Sequence, residues 1–98
     1  MDSFLIWVIW MGNRLIMFYG TECHICHEIE PMIDNLADEL KVKITKLEVW
    51  HNSENKKLLL KYDTINCRGV PFFFNEKTGK AICGVTSEAN YRKWMKGE

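Results

Sequence analysis

The chain has no excess charge of either sign: thirteen Lys and Arg stand against thirteen Asp and Glu in 98 residues. Without a net field nothing gathers nucleic acid or an anionic membrane surface, and neither is expected as a partner. Long apolar runs are equally scarce. The run Phe4–Met11 has eight residues, whereas a membrane-spanning helix needs about 20. No basic residue precedes it and no small-residue cleavage site follows it, so neither a signal peptide nor a membrane helix is expected. Internal repeats, linkers and low-complexity segments are also lacking. One domain over residues 1–98 follows, with 1–14 as an N-terminal extension or edge strand. A run as apolar as Phe4–Met11 is expected to be paired or covered, as an edge strand or a dimer contact. At 47% hydrophobic content, with four Trp, three Tyr and five Phe, the core is expected to hold without disulfide staples.

Cysteine is present four times, and its placement is the most informative feature. Cys23-His24-Ile25-Cys26 follows the apolar run Leu15-Ile16-Met17-Phe18-Tyr19 and opens a helical pattern that ends near Leu40. The first and fourth residues of that unit fall on one face of the first helical turn, close enough to join in a small disulfide ring. Unpaired N–H groups and the positive end of the helix dipole favour a thiolate on the first of them. Two cysteines this close cannot clamp distant segments, so a reduced, cytoplasmic setting is expected rather than a secreted disulfide scaffold.

The remaining elements read coarsely. Ile25, Ile29, Met32, Ile33, Leu36 and Leu40 form the stripe of a helix with one buried face, with Pro31 kinking it. Val42–Trp50 alternates in two phases, Val42 and Ile44 and then Leu47 and Val49, which reads as a strand with a bulge or a late start. Asn52 or Ser53 caps a helix of about Glu54 to Tyr62. Residues 63–70 form a loop, Phe72–Phe74 and Lys80–Cys83 a hairpin, and Thr86 or Ser87 caps a last helix carrying Tyr91, Trp94 and Met95. The order predicts an α/β fold: a mixed central sheet with helices on both faces.

The second informative feature is Arg68-Gly69-Val70-Pro71 ahead of the strand Phe72–Phe74. With the strand-Cys-x-x-Cys-helix unit, Pro31 five residues after Cys26, and the closing hairpin and helix, the chain resembles the thioredoxin family over about Leu15 to Lys96. The resemblance implies a thioredoxin-like fold without its first helix, a cis Val70–Pro71 bond beside the thiols, and a thiol-disulfide oxidoreductase. In that reading Cys23 is the nucleophile and Cys26 resolves the mixed disulfide. Tyr19, Glu22, His24, Ile25, Val70 and Pro71 support the site, and no cofactor is needed beyond the redox-active pair. Implied partners are a disulfide-containing protein or small molecule as substrate, and a reductase or low-molecular-weight thiol as electron donor. A glutathione-using, glutaredoxin-like enzyme is a variant of the same class.

Departures from the family pattern matter as much. Glu22 stands where thioredoxins usually carry Trp, and His24-Ile25 replaces Gly-Pro. Protonated His24 and the dipole favour the Cys23 thiolate, while Glu22 opposes it. Met17 occupies the position of the family's buried carboxylate, so His24, His27 or Glu48 is a candidate for proton transfer from Cys26. Cys67 and Cys83 are expected as free core cysteines, or else as sites of regulatory oxidation or a bond to an outside partner. Two other functions remain open: a metal-binding module using Cys23, Cys26 and His27, with His24 adjacent and Cys67 or Cys83 in reach, and a non-catalytic thioredoxin-like binding domain. The first lacks a second Cys-x-x-Cys or a His-x-x-x-His, and the intact thiol pair argues against the second.

Overall fold

Strand β1, Leu15–Tyr19, is apolar at every position because both its faces are covered: Ile16, Met17 and Phe18 are fully buried. The computed structural model describes residues 13–98, and the expectations for Phe4–Met11 lie outside the described residues. After β1 come helix α1 (His24–Leu40), strand β2 (Ile44–Glu48), helix α2 (Ser53–Tyr62), strands β3 (Phe72–Asn75) and β4 (Ala81–Cys83), and helix α3 (Glu88–Lys96). Among the described residues no helix precedes β1. The sheet runs in the order β2-β1-β3-β4. β1 pairs in parallel with β2, from Leu15 opposite Ile44 to Tyr19 opposite Glu48. β3 runs antiparallel to both β1 and β4.

Alternation along the strands divides the core into two layers. Met17 and Phe73 face α1 and α3, in a cluster with Cys23, Cys26, Ile33, Leu36, Tyr91 and Trp94. Ile16, Phe18, Phe72 and Phe74 face α2, in a cluster with Val49 and Leu59. Of the two readings of β2, a bulge or a late start, the structure shows the late start. The strand's register is regular and begins only at Ile44, and the two apolar phases arise because Val42 and Ile44 pack on the α1 side while Leu47 and Val49 pack on the α2 side.

Helix ends follow their capping residues. Cys23, Asn52 and Ser87 are the N-caps, each side chain accepting an N–H from the first turn, and Lys41 and Gly97 close α1 and α3 in left-handed conformation. The buried carboxylate of Glu76 binds the start of β1 to the β3–β4 turn: it accepts from Arg14 Nε at 2.9 Å and from Tyr62 Oη at 2.6 Å. Burial and this carboxylate push the Tyr62 pKa up to about 12.

Cys67 and Cys83 are bonded to each other, their Cα atoms 5.6 Å apart. This corrects the expectation of free core cysteines. Cys83 is exposed at the end of edge strand β4, and the loop from Asp63 to Val70 brings Cys67 to it. In the chain-entropy account a bridge over about 15 residues contributes roughly 3 kcal/mol.

Candidate active site

Parallel pairing of β1 and β2 puts their C-terminal ends side by side, and the expected site residues collect at that end. The chain leaves β1 at Tyr19, turns through Gly20-Thr21-Glu22 with Cys23 N–H donating to the Gly20 carbonyl at 3.0 Å, and enters α1. Gly20 is required by what lies above it: a Cβ there would collide with the Trp50 ring.

Cys23 and Cys26 are joined, with Cα atoms 5.3 Å apart. Cys23 is 8% exposed and Cys26 fully buried. As N-cap, Cys23 Sγ accepts the Cys26 N–H at 3.2 Å. A thiolate on Cys23 has that N–H and the helix N-terminus to hold it, whereas the Cys26 sulfur lies against the apolar core with Met17. Val70 packs against the same cluster and the Val70–Pro71 bond is cis. Val70 lies outside the β3 ladder, which starts at Phe72. Tyr19 borders the site and meets the His27 ring edge-on at 6.0 Å. Ile25 and Trp50 are about half exposed, leaving apolar surface beside the thiols.

The polar neighbours are already engaged. His24 pairs with Glu28 at 2.9 Å on the exposed face of α1. His27 contacts the Thr21 carbonyl through Nε2 at 2.8 Å and Glu30 through Nδ1 at 2.6 Å. The Thr21 carbonyl and then Glu30 raise its pKa above the ordinary 6.5. Glu48 accepts the N–H groups of Thr21, Trp50 and His51. Burial pushes the Glu48 carboxyl up, but those N–H groups outweigh it and leave the pKa below its ordinary value. Glu48 thereby ties the turn before Cys23 to the loop after β2.

Gly20, Trp50 and His51 are residues that the sequence reading missed. His51 Nε2 lies 2.8 Å from both oxygens of Glu22, and this pairing holds its pKa above 6.5. Their position just beyond the C-terminal ends of β1 and β2 was the available signal, since open α/β sheets build their sites there. Among the described residues, donors suited to a metal come together at Glu22, Glu48 and His51. That group contains neither Cys23, Cys26 nor His27, and hydrogen bonds within the protein occupy its atoms.

A thioredoxin family model matches residues 8–97 of the chain. The chain belongs to the thioredoxin family. Among solved structures it is similar to a single-residue mutant of thioredoxin from Halobacterium salinarum NRC-1, with a TM-score of 0.67 and 22% identity over 90% of this chain and 77% of that one. No curated protein matches it. The thioredoxin-like α/β fold and the joined Cys23–Cys26 pair together mark a redox protein of this family. No described helix is long and apolar enough to cross a membrane.

Proposed function

We propose that the protein reduces disulfides in protein or small-molecule substrates by dithiol exchange. The observation that carries this reading is Cys23 as the N-cap of α1, with Cys26 one turn inside and bonded to it. In the dithiol form the Cys23 thiolate attacks one sulfur of the substrate disulfide, forming a mixed disulfide and releasing the other substrate sulfur as a thiolate. Cys26 then attacks Cys23 Sγ. The Cys23–Cys26 bond forms, the second substrate sulfur leaves as a thiolate, and the Cys26 proton passes to the thiolate released first. Two electrons have moved from the pair to the substrate.

With Met17 beneath the pair, and His27 and Glu48 committed to hydrogen bonds, that proton has no buried carboxylate to receive it, and resolution is the slower step. A reductase or low-molecular-weight thiol returns the electrons, and no cofactor is required beyond the pair. The cytoplasm, which maintains such donors, is the compartment we assign. Val70 and the apolar flank of Ile25 and Trp50 suit an extended peptide bearing the disulfide.

Incubation of Cys26→Ser with a disulfide-linked peptide tests the reading. A stable adduct at Cys23, absent from Cys23→Ser, is expected by mass spectrometry. Adducts at Cys26 in Cys23→Ser, with none at Cys23 in the other variant, overturn the assignment.

A further inference from the structure

The Cys67–Cys83 bridge lies on the opposite sheet face from Cys23–Cys26: Cys67 packs against the Phe72 and Phe74 cluster, the other pair against Met17 and Phe73. The sheet therefore lies between the two bridges. Cys83 is exposed and Cys67 half-buried, so an external thiol meets this bridge more readily than it meets buried Cys26.

The loop that the bridge pins is under tension. Asn66 and Arg68, on either side of Cys67, hold left-handed backbone with φ of 61° each, a conformation unfavourable for arginine. Besides the bridge, Asp63 holds it: its carboxylate accepts the N–H groups of Cys67 and Arg68, both at 2.8 Å. The end of this loop, Arg68-Gly69-Val70, forms one wall of a groove of about 390 Å³, whose other wall carries Trp50, Leu59 and Leu60. The sheet does not need the bridge, because β3 and β4 pair through their own ladder from Phe72 opposite Cys83.

We propose that the Cys67–Cys83 bridge is a second thiol-exchangeable centre, opened by a low-molecular-weight thiol, whose state fixes the loop 63–70 and the groove wall beside Val70. A thiolate attacks exposed Cys83 Sγ, forms a mixed disulfide there and releases Cys67 as a thiolate, which takes a proton from water. A second thiol attacks the external sulfur, releasing Cys83 and a low-molecular-weight disulfide. The bridge gains two electrons and two protons from two thiols. Closed, it holds the groove in the shape described; open, the loop relaxes from its left-handed turn and the wall moves. The effect on catalysis rests on the dithiol-exchange reading of Cys23–Cys26, whereas the opening of the bridge does not.

The chain has four cysteines, so Cys23→Ser/Cys26→Ser leaves Cys67 and Cys83 as its only thiols, and serine keeps the N-cap. This variant is equilibrated with mixtures of reduced and oxidised glutathione, then followed by mass spectrometry and amide hydrogen exchange. The bridge is expected to open and close reversibly through a glutathione adduct on Cys83. Opening is expected to speed exchange in 63–70 by about tenfold or more while β1 stays protected. A bridge that stays closed in reduced glutathione, unchanged exchange in 63–70, or exchange that rises as much throughout the chain as in 63–70 would each overturn the proposal, the last by showing a bridge that acts on the whole fold alike.

In parallel, Cys67→Ser/Cys83→Ser with its Cys23–Cys26 pair intact is compared with the unaltered protein. Its KM for a disulfide-linked peptide is expected to change by about threefold or more, with its rate on a small aromatic disulfide within about twofold. Equal KM values overturn the link to the groove. Absence of turnover in both proteins overturns dithiol exchange, and the glutathione titration still decides the bridge.

Discussion

His51 holds the Glu22 carboxylate 2.8 Å from its ring, immediately before Cys23 in the chain. While His51 is protonated the pair is neutral and Glu22 does not oppose a thiolate on Cys23; once His51 loses its proton, the carboxylate stands uncompensated. Pairing raises the His51 pKa above 6.5. The link is therefore fully present below that value and is lost as pH rises through the raised one. His51→Gln is expected to slow alkylation of Cys23 about threefold at a pH below the ordinary histidine value, with no difference well above it; stopped-flow alkylation measures this. An equal effect at both pH values would show that His51 acts on the loop's shape. Glu22 was legible as a charge opposing Cys23, but its partner was not, because the contact joins residues 29 positions apart through the parallel pairing of β1 and β2. Local spacing reveals helix partners; it does not reveal which loops a sheet brings together.

Among the elements, α3 depends most on a few contacts. Phe73 meets Tyr91 at 4.8 Å and Trp94 at 5.5 Å, both edge-on, and these residues seat the helix against β3. Phe73→Ala is expected to destabilise the fold by about 3–5 kcal/mol in urea unfolding, because removing one of three packed rings leaves a cavity that helix and sheet cannot close. A loss below about 1 kcal/mol would mean that α3 is held from elsewhere. Elements whose apolar pattern serves one face were legible: α1 opens at Cys23 as expected, and α2 and α3 are capped by Asn52 and Ser87, each one of two expected caps. Strand β2 shows the late start rather than the bulge, because its two phases serve two different cores and a change of phase in a strand covered on both faces needs no bulge. Asp63, which organises the loop of Cys67, left no signal because its partners are backbone N–H groups.

At the scale of the molecule, one sheet carries two bridges on opposite faces, one at the N-terminus of α1 and one pinning the loop before Pro71. The first was legible because a short motif, a preceding strand and a following helix lie together in the chain. The second was not, because Cys67 and Cys83 meet only through the β3–β4 register and the path of the 63–70 loop. The fold class and the cysteines of the site could thus be read from the chain, while the loops that surround them depend on pairing across the sheet. The central claim is that Cys23–Cys26 is a redox pair that cycles under cellular conditions. Its reduction potential, measured by equilibration with defined thiol/disulfide buffers and residue-resolved mass spectrometry, tests this most directly. Reversible interconversion at about −270 to −200 mV is the predicted result. A pair that never re-forms its disulfide in oxidising buffer, or that binds stoichiometric metal when its thiols are free, would contradict it.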